Sequence, residues 1–175
     1  MGKYFLISAF GEDKPGIVAS VSKILYENGF NLEDSTMSRL GGEFTIMLVV
    51  YTDKDISKED IEKLFEPVIS QLGLNIYVKE IKYIPKKQSK DKVYRIVVYG
   101  ADKPGIVYNV ANILAEKRIN IIDMTTEKSG DLYILITEVE IPENISFEKL
   151  KEEINTLKEN MSIDASCEEI EVIEL

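Results

Sequence analysis

Two nearly identical octets, 89 residues apart, constrain the fold of this chain more than any other feature of its sequence. Residues 11–18 read Gly-Glu-Asp-Lys-Pro-Gly-Ile-Val, and residues 100–107 repeat them with Ala101 in place of Glu12. With the same offset, 15 of the 31 positions from residue 11 to residue 41 are identical, without a gap. Self-similarity at one fixed spacing indicates two copies of a single folded unit.

The repeat divides the 175 residues into two domains of ordinary size. We predict a first domain over residues 1–84, a polar linker over residues 85–91 and a second domain over residues 92–175. Because a unit this small buries only about 60% of its unfolded surface, we expect each copy to pack against the other or against a second chain.

The spacing of apolar residues predicts the same six elements in each copy. In the first copy these are a strand at 3–10, a helix from Pro15, strands at 31–40 and 43–52 joined by Gly41-Gly42, a helix capped by Ser57, and a strand at 74–84. In the second copy they are a strand at 93–100, a helix at 104–117, strands at 120–128 and 132–141, a helix capped by Ser146, and a strand at 163–173.

Some details of the first copy are also predicted. The Asp13 carboxylate is expected to accept from free amides at the start of the first helix. Pro67 falls inside the second helical pattern, where a kink or break is expected. One face of the first helix is predicted to consist of Ile17, Val18, Val21, Ile24 and Leu25.

The order strand-helix-strand-strand-helix-strand is typical of the ferredoxin-like α+β fold. The sequence therefore predicts two βαββαβ domains, each an antiparallel sheet with two helices on one face and with the first and third strands at its centre. The third strand is apolar on both faces, since Phe44, Ile46 and Leu48 alternate with Met47, Val49 and Tyr51. Because exposed apolar patches are typical of interfaces, we expect the open faces or edges to be covered by the sister domain or by a second subunit, as in a homodimer.

Charge and composition exclude several classes of protein. The net charge of −10 argues against direct binding to nucleic acid or to an anionic membrane surface. No apolar run is long enough to span a bilayer, and the chain opens on a strand pattern with no signal-peptide features. We expect a cytoplasmic protein.

Catalysis is not expected either. The chain has no histidine, which removes the commonest general base and metal ligand. A single cysteine, Cys167, cannot form a thiolate zinc site and is interpreted as a half-buried structural thiol. No phosphate-binding or dinucleotide-binding motif is present, so we expect no catalytic residue, metal or cofactor.

Each Pro-Gly step precedes a predicted helix, whose first amides have no partner within the helix. Gly16 and Gly105 lack side chains, so a ligand can approach these positive helix ends closely. This arrangement suits a carboxylate. Asn31 and Asn120 open the second strand of each copy, are predicted to lie near the same end, and offer both donor and acceptor to a zwitterion. The same residues are equally typical of an ordinary helix start and of ordinary turn positions.

The motif Gly-x-Asp-x-Pro-Gly-Ile-Val after a strand, followed by an apolar helix and an asparagine, resembles the ACT domain. Two copies along nearly the whole chain resemble the glycine cleavage system transcriptional repressor family, and the first copy is similar to the amino-terminal region of formyltetrahydrofolate deformylases. ACT domains are regulatory modules that bind amino acids or other small ligands, often across an interface between two domains.

The resemblance implies two ligand sites, formed largely by backbone amides. The first would consist of Asp13, Lys14, Pro15, Gly16, Ile17, Val18 and Asn31, and the second of Asp102, Lys103, Pro104, Gly105, Ile106, Val107 and Asn120. Ser20 and Lys23 become Asn109 and Asn112 in the second copy, and Gly29 becomes Arg118. The two sites therefore need not share a ligand, and a single functional site is compatible with the sequence.

The resemblance implies a non-catalytic regulator that binds a small amino acid, such as glycine or serine, and modulates a protein partner in amino-acid or one-carbon metabolism. Two alternatives stay open. The first is a protein-interaction or assembly module without a ligand. The second is a detached regulatory subunit of an amino-acid metabolic enzyme.

Overall fold

The computed structural model describes residues 2–82 and 92–170 of the chain. The chain divides into two compact units, Met1–Pro85 and Lys86–Leu175. The predicted linker, residues 85–91, lies outside the described residues, as do the ends predicted for the two fourth strands, at 83–84 and 171–173.

Both units contain the six predicted elements in the predicted order. Unit 1 consists of β1 (Lys3–Glu12), α1 (Ile17–Glu27), β2 (Asn31–Leu40), β3 (Glu43–Thr52), α2 (Lys58–Leu72) and β4 (Asn75–Ile81). Unit 2 consists of β5 (Lys92–Ala101), α3 (Ile106–Glu116), β6 (Asn120–Ser129), β7 (Leu132–Ile141), α4 (Phe147–Met161) and β8 (Asp164–Ile170). Each predicted helix start near the Pro-Gly step is two residues early, because the glycine itself takes the N-cap position.

The predicted fold class is confirmed. The strand order is β2-β3-β1-β4 in unit 1 and β6-β7-β5-β8 in unit 2, and every pairing is antiparallel. The first and third strands of each unit therefore lie at the centre of its sheet, as in the ferredoxin-like arrangement. Gly41 and Gly42 both have positive φ, which fits the tight turn predicted between β2 and β3.

Each unit has its own hydrophobic core between the helices and one face of the sheet. In unit 1 the core includes Phe5, Phe44, Ile61 and Phe65, each at most 3% exposed. The core of unit 2 is built at equivalent positions of the repeat and includes Ile96, Leu135 and Leu150. Since burial of a large apolar side chain contributes about 1.5–3 kcal/mol, these two clusters are the main source of stability within each unit.

The predicted break at Pro67 is wrong. Helix α2 runs from Lys58 to Leu72 without interruption, although Pro67 cannot donate to the carbonyl of Lys63. Pro67 faces solvent, while Phe65 and Val68, on either side of it, are buried against the core. Packing of that face on both sides of the proline holds the helix together, so the tertiary contacts outweigh the local penalty.

The open face of the first sheet is apolar, as predicted. Phe44, Ile46 and Leu48 of β3 are buried beneath the helices, whereas Met47 on the opposite face is 42% exposed. Phe10 is exposed on the adjacent strand β1, and Tyr77 is exposed on β4, which lies on the other side of β1. Among the residues that the structure describes, no helix is both long and apolar enough to cross a bilayer.

Candidate functional site

The loop between β1 and α1 ends at Gly16, which occupies the N-cap position of α1 with φ 93°. A side chain at this φ is strained, so glycine suits the position. The first helical bond runs from the Ser20 amide to the Gly16 carbonyl, 2.9 Å. The amides of the three preceding residues have no partner inside the helix, and no side chain caps them. Gly105 starts α3 in the same way, with φ 96°.

The predicted capping role of Asp13 is wrong. Its carboxylate instead pairs with the guanidinium of Arg39 at the end of β2, with 3.3 Å between Oδ2 and Nη1. Its amide donates to the carbonyl of Gly42, 2.9 Å away. Asp13 therefore anchors the loop to the turn between β2 and β3 and leaves the helix amides uncapped.

Unit 2 repeats this anchor, which sequence reasoning missed. The Asp102 carboxylate pairs with the Lys128 ammonium at 2.5 Å, and the Asp102 amide donates to the carbonyl of Asp131 at 3.1 Å. Lys128 stands 26 residues after Asp102, the same spacing as between Asp13 and Arg39. A basic residue at the end of the second strand in both copies was the available signal for this contact.

The apolar residues after the glycine contribute to the loop in two different ways. The side chains of Ile17 and Ile106 are each 2% exposed and belong to the cores, so only their backbone amides are available at the site. Val18 was predicted on the buried helical face, but it is 41% exposed. It lies two residues after Gly16, in the first turn of α1, where its apolar side chain faces solvent.

Asn31 and Asn120 do not lie beside these loops within their own units, so their predicted placement is wrong. Asn31 pairs with Tyr51 in the sheet, whereas Gly11, just before the loop, pairs with Phe44. Seven residue steps along β3 separate these two partners, a distance of roughly 23 Å. A helix after β1 returns the chain to the end where β1 began, and β2 starts there. The side-chain amide of Asn31 donates to the carboxylate of Glu33 at 2.6 Å. Asn120 occupies the equivalent place in unit 2, opposite Glu140.

The lysine of the octet has different partners in the two units. Lys14 forms an ion pair with Glu12, with 2.9 Å between Nζ and Oε2. Lys103 instead donates to the carbonyl of Met161 at the last residue of α4, 2.6 Å away. Asn109 of unit 2 donates to the Gly105 carbonyl at 2.8 Å. A loop that is open in unit 1 is thus tied to its neighbours in unit 2.

Cys167 lies on β8 and packs partly against the core of unit 2. Burial raises the pKa of its thiol to about 11, so the thiolate does not form at neutral pH. Its position and its pKa agree with a structural thiol, and it lies on a strand away from the Gly105 loop.

Comparison with known proteins identifies relatives of both units. The model of the ACT domain family matches residues 3–79 and again residues 95–168. The glycine cleavage system transcriptional repressor of Escherichia coli is 30% identical over 142 residues, covering 77% of this chain and 73% of the relative. A protein of Methanopyrus kandleri, designated UPF0237 protein MK1213, is 36% identical over 70 residues, which cover 39% of this chain and 78% of that protein.

Two solved structures match the whole chain. A protein of unknown function from Galdieria sulphuraria has a TM-score of 0.80 and 26% identity, covering 98% of this chain and 100% of the other. The structure of a candidate glycine cleavage system transcriptional repressor has a TM-score of 0.78 and 19% identity, with coverage of 98% and 99%. At the latter level of identity the similarity shows a common fold.

Proposed function

The chain belongs to the ACT domain family, and from that premise we propose that it is a non-catalytic regulatory protein that binds a small amino acid such as glycine or serine. The ligand favours one of two states of the protein by its difference in affinity between them. That shift changes the activity of a protein partner in amino-acid or one-carbon metabolism.

The observation that carries this proposal is the uncapped start of α1. The helix amides have no side-chain cap, and nothing lies within 4 Å of the position that a Cβ on Gly16 would take. The guanidinium of Arg39, 71% exposed, lies beside the loop through its pair with Asp13 and adds positive charge. A carboxylate is the ligand group that such a helix end favours.

The proposed partner is a protein, and the proposed setting is the cytoplasm. The net charge of −10 disfavours contact with a phosphate backbone. The E. coli relative is named a transcriptional repressor of the glycine cleavage system. That name supports a link to glycine or one-carbon metabolism, and the charge favours control through a protein partner.

The exposed apolar face of the first sheet supports a homodimer. Phe10, Met47 and Tyr77 are each more than 40% exposed on neighbouring strands. Light scattering should give a mass of twice the 19.9 kDa of one chain. The same surface favours a second candidate function, an assembly module that binds a protein and no metabolite.

A thermal-shift screen of amino acids and folates separates these two functions. A ligand at 100 times its dissociation constant stabilises the folded state by about 2.7 kcal/mol, which calorimetry then confirms on any hit. The absence of a shift with every common amino acid would favour the assembly module.

Gly16→Val and Gly105→Val, tested separately, identify the copy that binds the ligand. A side chain at either glycine blocks the approach to the helix amides and should abolish binding at that loop. Gly29→Ala is the matched control for strain, because Gly29 also has positive φ, 72°, but lies at the other end of α1. An unchanged number of sites and an unchanged affinity in both valine variants would place the ligand elsewhere.

A further inference from the structure

We infer that Lys103 and Asn109 close the loop of unit 2 with the protein's own side chains, so that one chain binds one ligand molecule, at unit 1. The inference rests on the proposed function for the identity of the ligand. The closure itself is a separate property of the second loop and has its own test.

Lys103 is held at the end of a neighbouring helix. Its ammonium donates to the carbonyl of Met161 at 2.6 Å, and that residue is the last of α4. The final carbonyls of a helix have no partner within it and carry the negative end of its dipole, so a lysine is favourable there. The contact joins the octet loop to an element 58 residues further along the chain.

The single difference between the octets explains why only one lysine makes this contact. In unit 1 the Lys14 ammonium pairs with Glu12 at 2.9 Å and stays 44% exposed. The residue equivalent to Glu12 in unit 2 is Ala101, which offers no carboxylate. The acid that the second octet does contain, Asp102, pairs with Lys128, and Lys103 reaches α4.

Asn109 occupies space beside Gly105 that is empty beside Gly16. Its Nδ2 atom donates to the Gly105 carbonyl at 2.8 Å and lies 3.6 Å from the sulfur of Met161. The same atom lies 3.3 Å from the position that a Cβ on Gly105 would take. The equivalent residue in unit 1 is Ser20, which is too short to reach over the glycine, and nothing lies within 4 Å of that position on Gly16.

A ligand at unit 2 must displace the Asn109 amide and disturb the contact of Lys103 with α4. Loss of even one hydrogen bond to a charged group lowers affinity by roughly tenfold. The two loops should therefore differ in affinity by at least that factor, although seven of their eight octet residues are identical.

Exchange of residues between the units tests the inference. The opening variant, Ala101→Glu with Asn109→Ser, gives unit 2 the residues of unit 1. The closing variant, Glu12→Ala with Ser20→Asn, does the reverse. Calorimetry with glycine and with L-serine should give one site per chain in the wild type, two in the opening variant, and a first site weakened by roughly tenfold in the closing variant.

Hydrogen exchange supplies a measurement that needs no ligand. The amides of Ser20 and Asn109 make equivalent bonds, each 2.9 Å, to Gly16 and Gly105. The amide at position 109 should have the higher protection factor in the wild type, and the opening variant should remove the difference. Thermal unfolding of each variant checks that the units stay folded.

The outcomes distinguish the two proposals. Two equal sites in the wild type would overturn the closure and leave the proposed function standing. No binding by any of the three proteins would refute the proposed function, and exchange would then decide on the closure alone. Equal protection factors at positions 20 and 109 in the wild type would overturn the closure. A higher protection factor at position 109, lost in the opening variant, would support it.

Discussion

Unit 1 and unit 2 share one backbone plan but differ in how their helices begin and end. The loop before α1 is open, whereas the loop before α3 is tied to α4 by Lys103. The two octets nevertheless have nearly the same backbone, with φ 93° at Gly16 and 96° at Gly105. The residues that set the backbone are thus the same in both copies, and the residues around the loop set its accessibility.

The open faces of the two sheets also differ at equivalent positions. In unit 1 the central strands pair Leu6 with Val49, and in unit 2 the corresponding pair is Arg95 with Glu138. The guanidinium of Arg95 lies 2.7 Å from Oε1 of Glu138, and that contact raises the pKa of the arginine. Unit 1 has an apolar cross-strand pair where unit 2 has an ion pair. The open face of unit 1 is therefore suited to an apolar contact, and that of unit 2 to a polar one.

The largest expected effect comes from the cores, which should respond alike. Ile61 of α2 and Leu150 of α4 are equivalent in the repeat and are both fully buried. Ile61→Ala and Leu150→Ala should each lower the free energy of unfolding by about 2–5 kcal/mol, because each leaves a cavity under a helix. Hydrogen exchange, measured unit by unit, locates the loss.

If either variant lowers the protection of both units equally, the units unfold together, and the two cores are not independent. Leu157→Met is a conservative control in the core of unit 2. It should cost less than about 1.5 kcal/mol, because the volume of the side chain changes little.

The elements could be predicted because their apolar periods are long and agree with the turn residues. The bounds of β2, 31–40, and of β3, 43–52, are confirmed at both ends. The glycines between them have positive φ, which fixes the register of the hairpin. Local pattern and tertiary structure agree in this region, so sequence reasoning sufficed.

The site was harder to predict because its contacts depend on register and chain direction. Asp13 had a plausible local role as a cap, but the register of β1, β2 and β3 brings Arg39 to it. The position of Asn31 follows from chain direction, since a helix of 11 residues covers about 16 Å and returns the chain to the start of β1. The partner of Lys103 follows from the packing of α4 and has no local signal.

Pro67 provides the next test, with a smaller effect. Its equivalent in unit 2 is Thr156, whose hydroxyl donates to the Glu152 carbonyl at 3.0 Å. Pro67→Ala restores a helical hydrogen bond and should raise the free energy of unfolding of unit 1 by about 1–3 kcal/mol. Thr156→Pro should lower that of unit 2 by about 3 kcal/mol. Urea unfolding with hydrogen exchange by unit measures both changes.

A destabilising Pro67→Ala would mean that the proline fits α2 better than alanine does, through a smaller entropy loss from the unfolded chain.

The smallest expected effect is at the second residue after each first helix. Gly29 has φ 72°, and its equivalent, Arg118, takes the same left-handed conformation with φ 58°. In this conformation a residue with a Cβ is strained by about 1–2 kcal/mol, whereas glycine is not. Glycine, however, loses more conformational entropy on folding, which reduces the difference between the two residues. Arg118→Gly should therefore stabilise unit 2 by about 0.5–1 kcal/mol, and Gly29→Ala should destabilise unit 1 by a similar amount. Differential scanning calorimetry at low protein concentration measures both. If Arg118→Gly is destabilising instead, the arginine side chain makes a contact worth more than the strain, and the two helix ends differ in energy as well as in sequence.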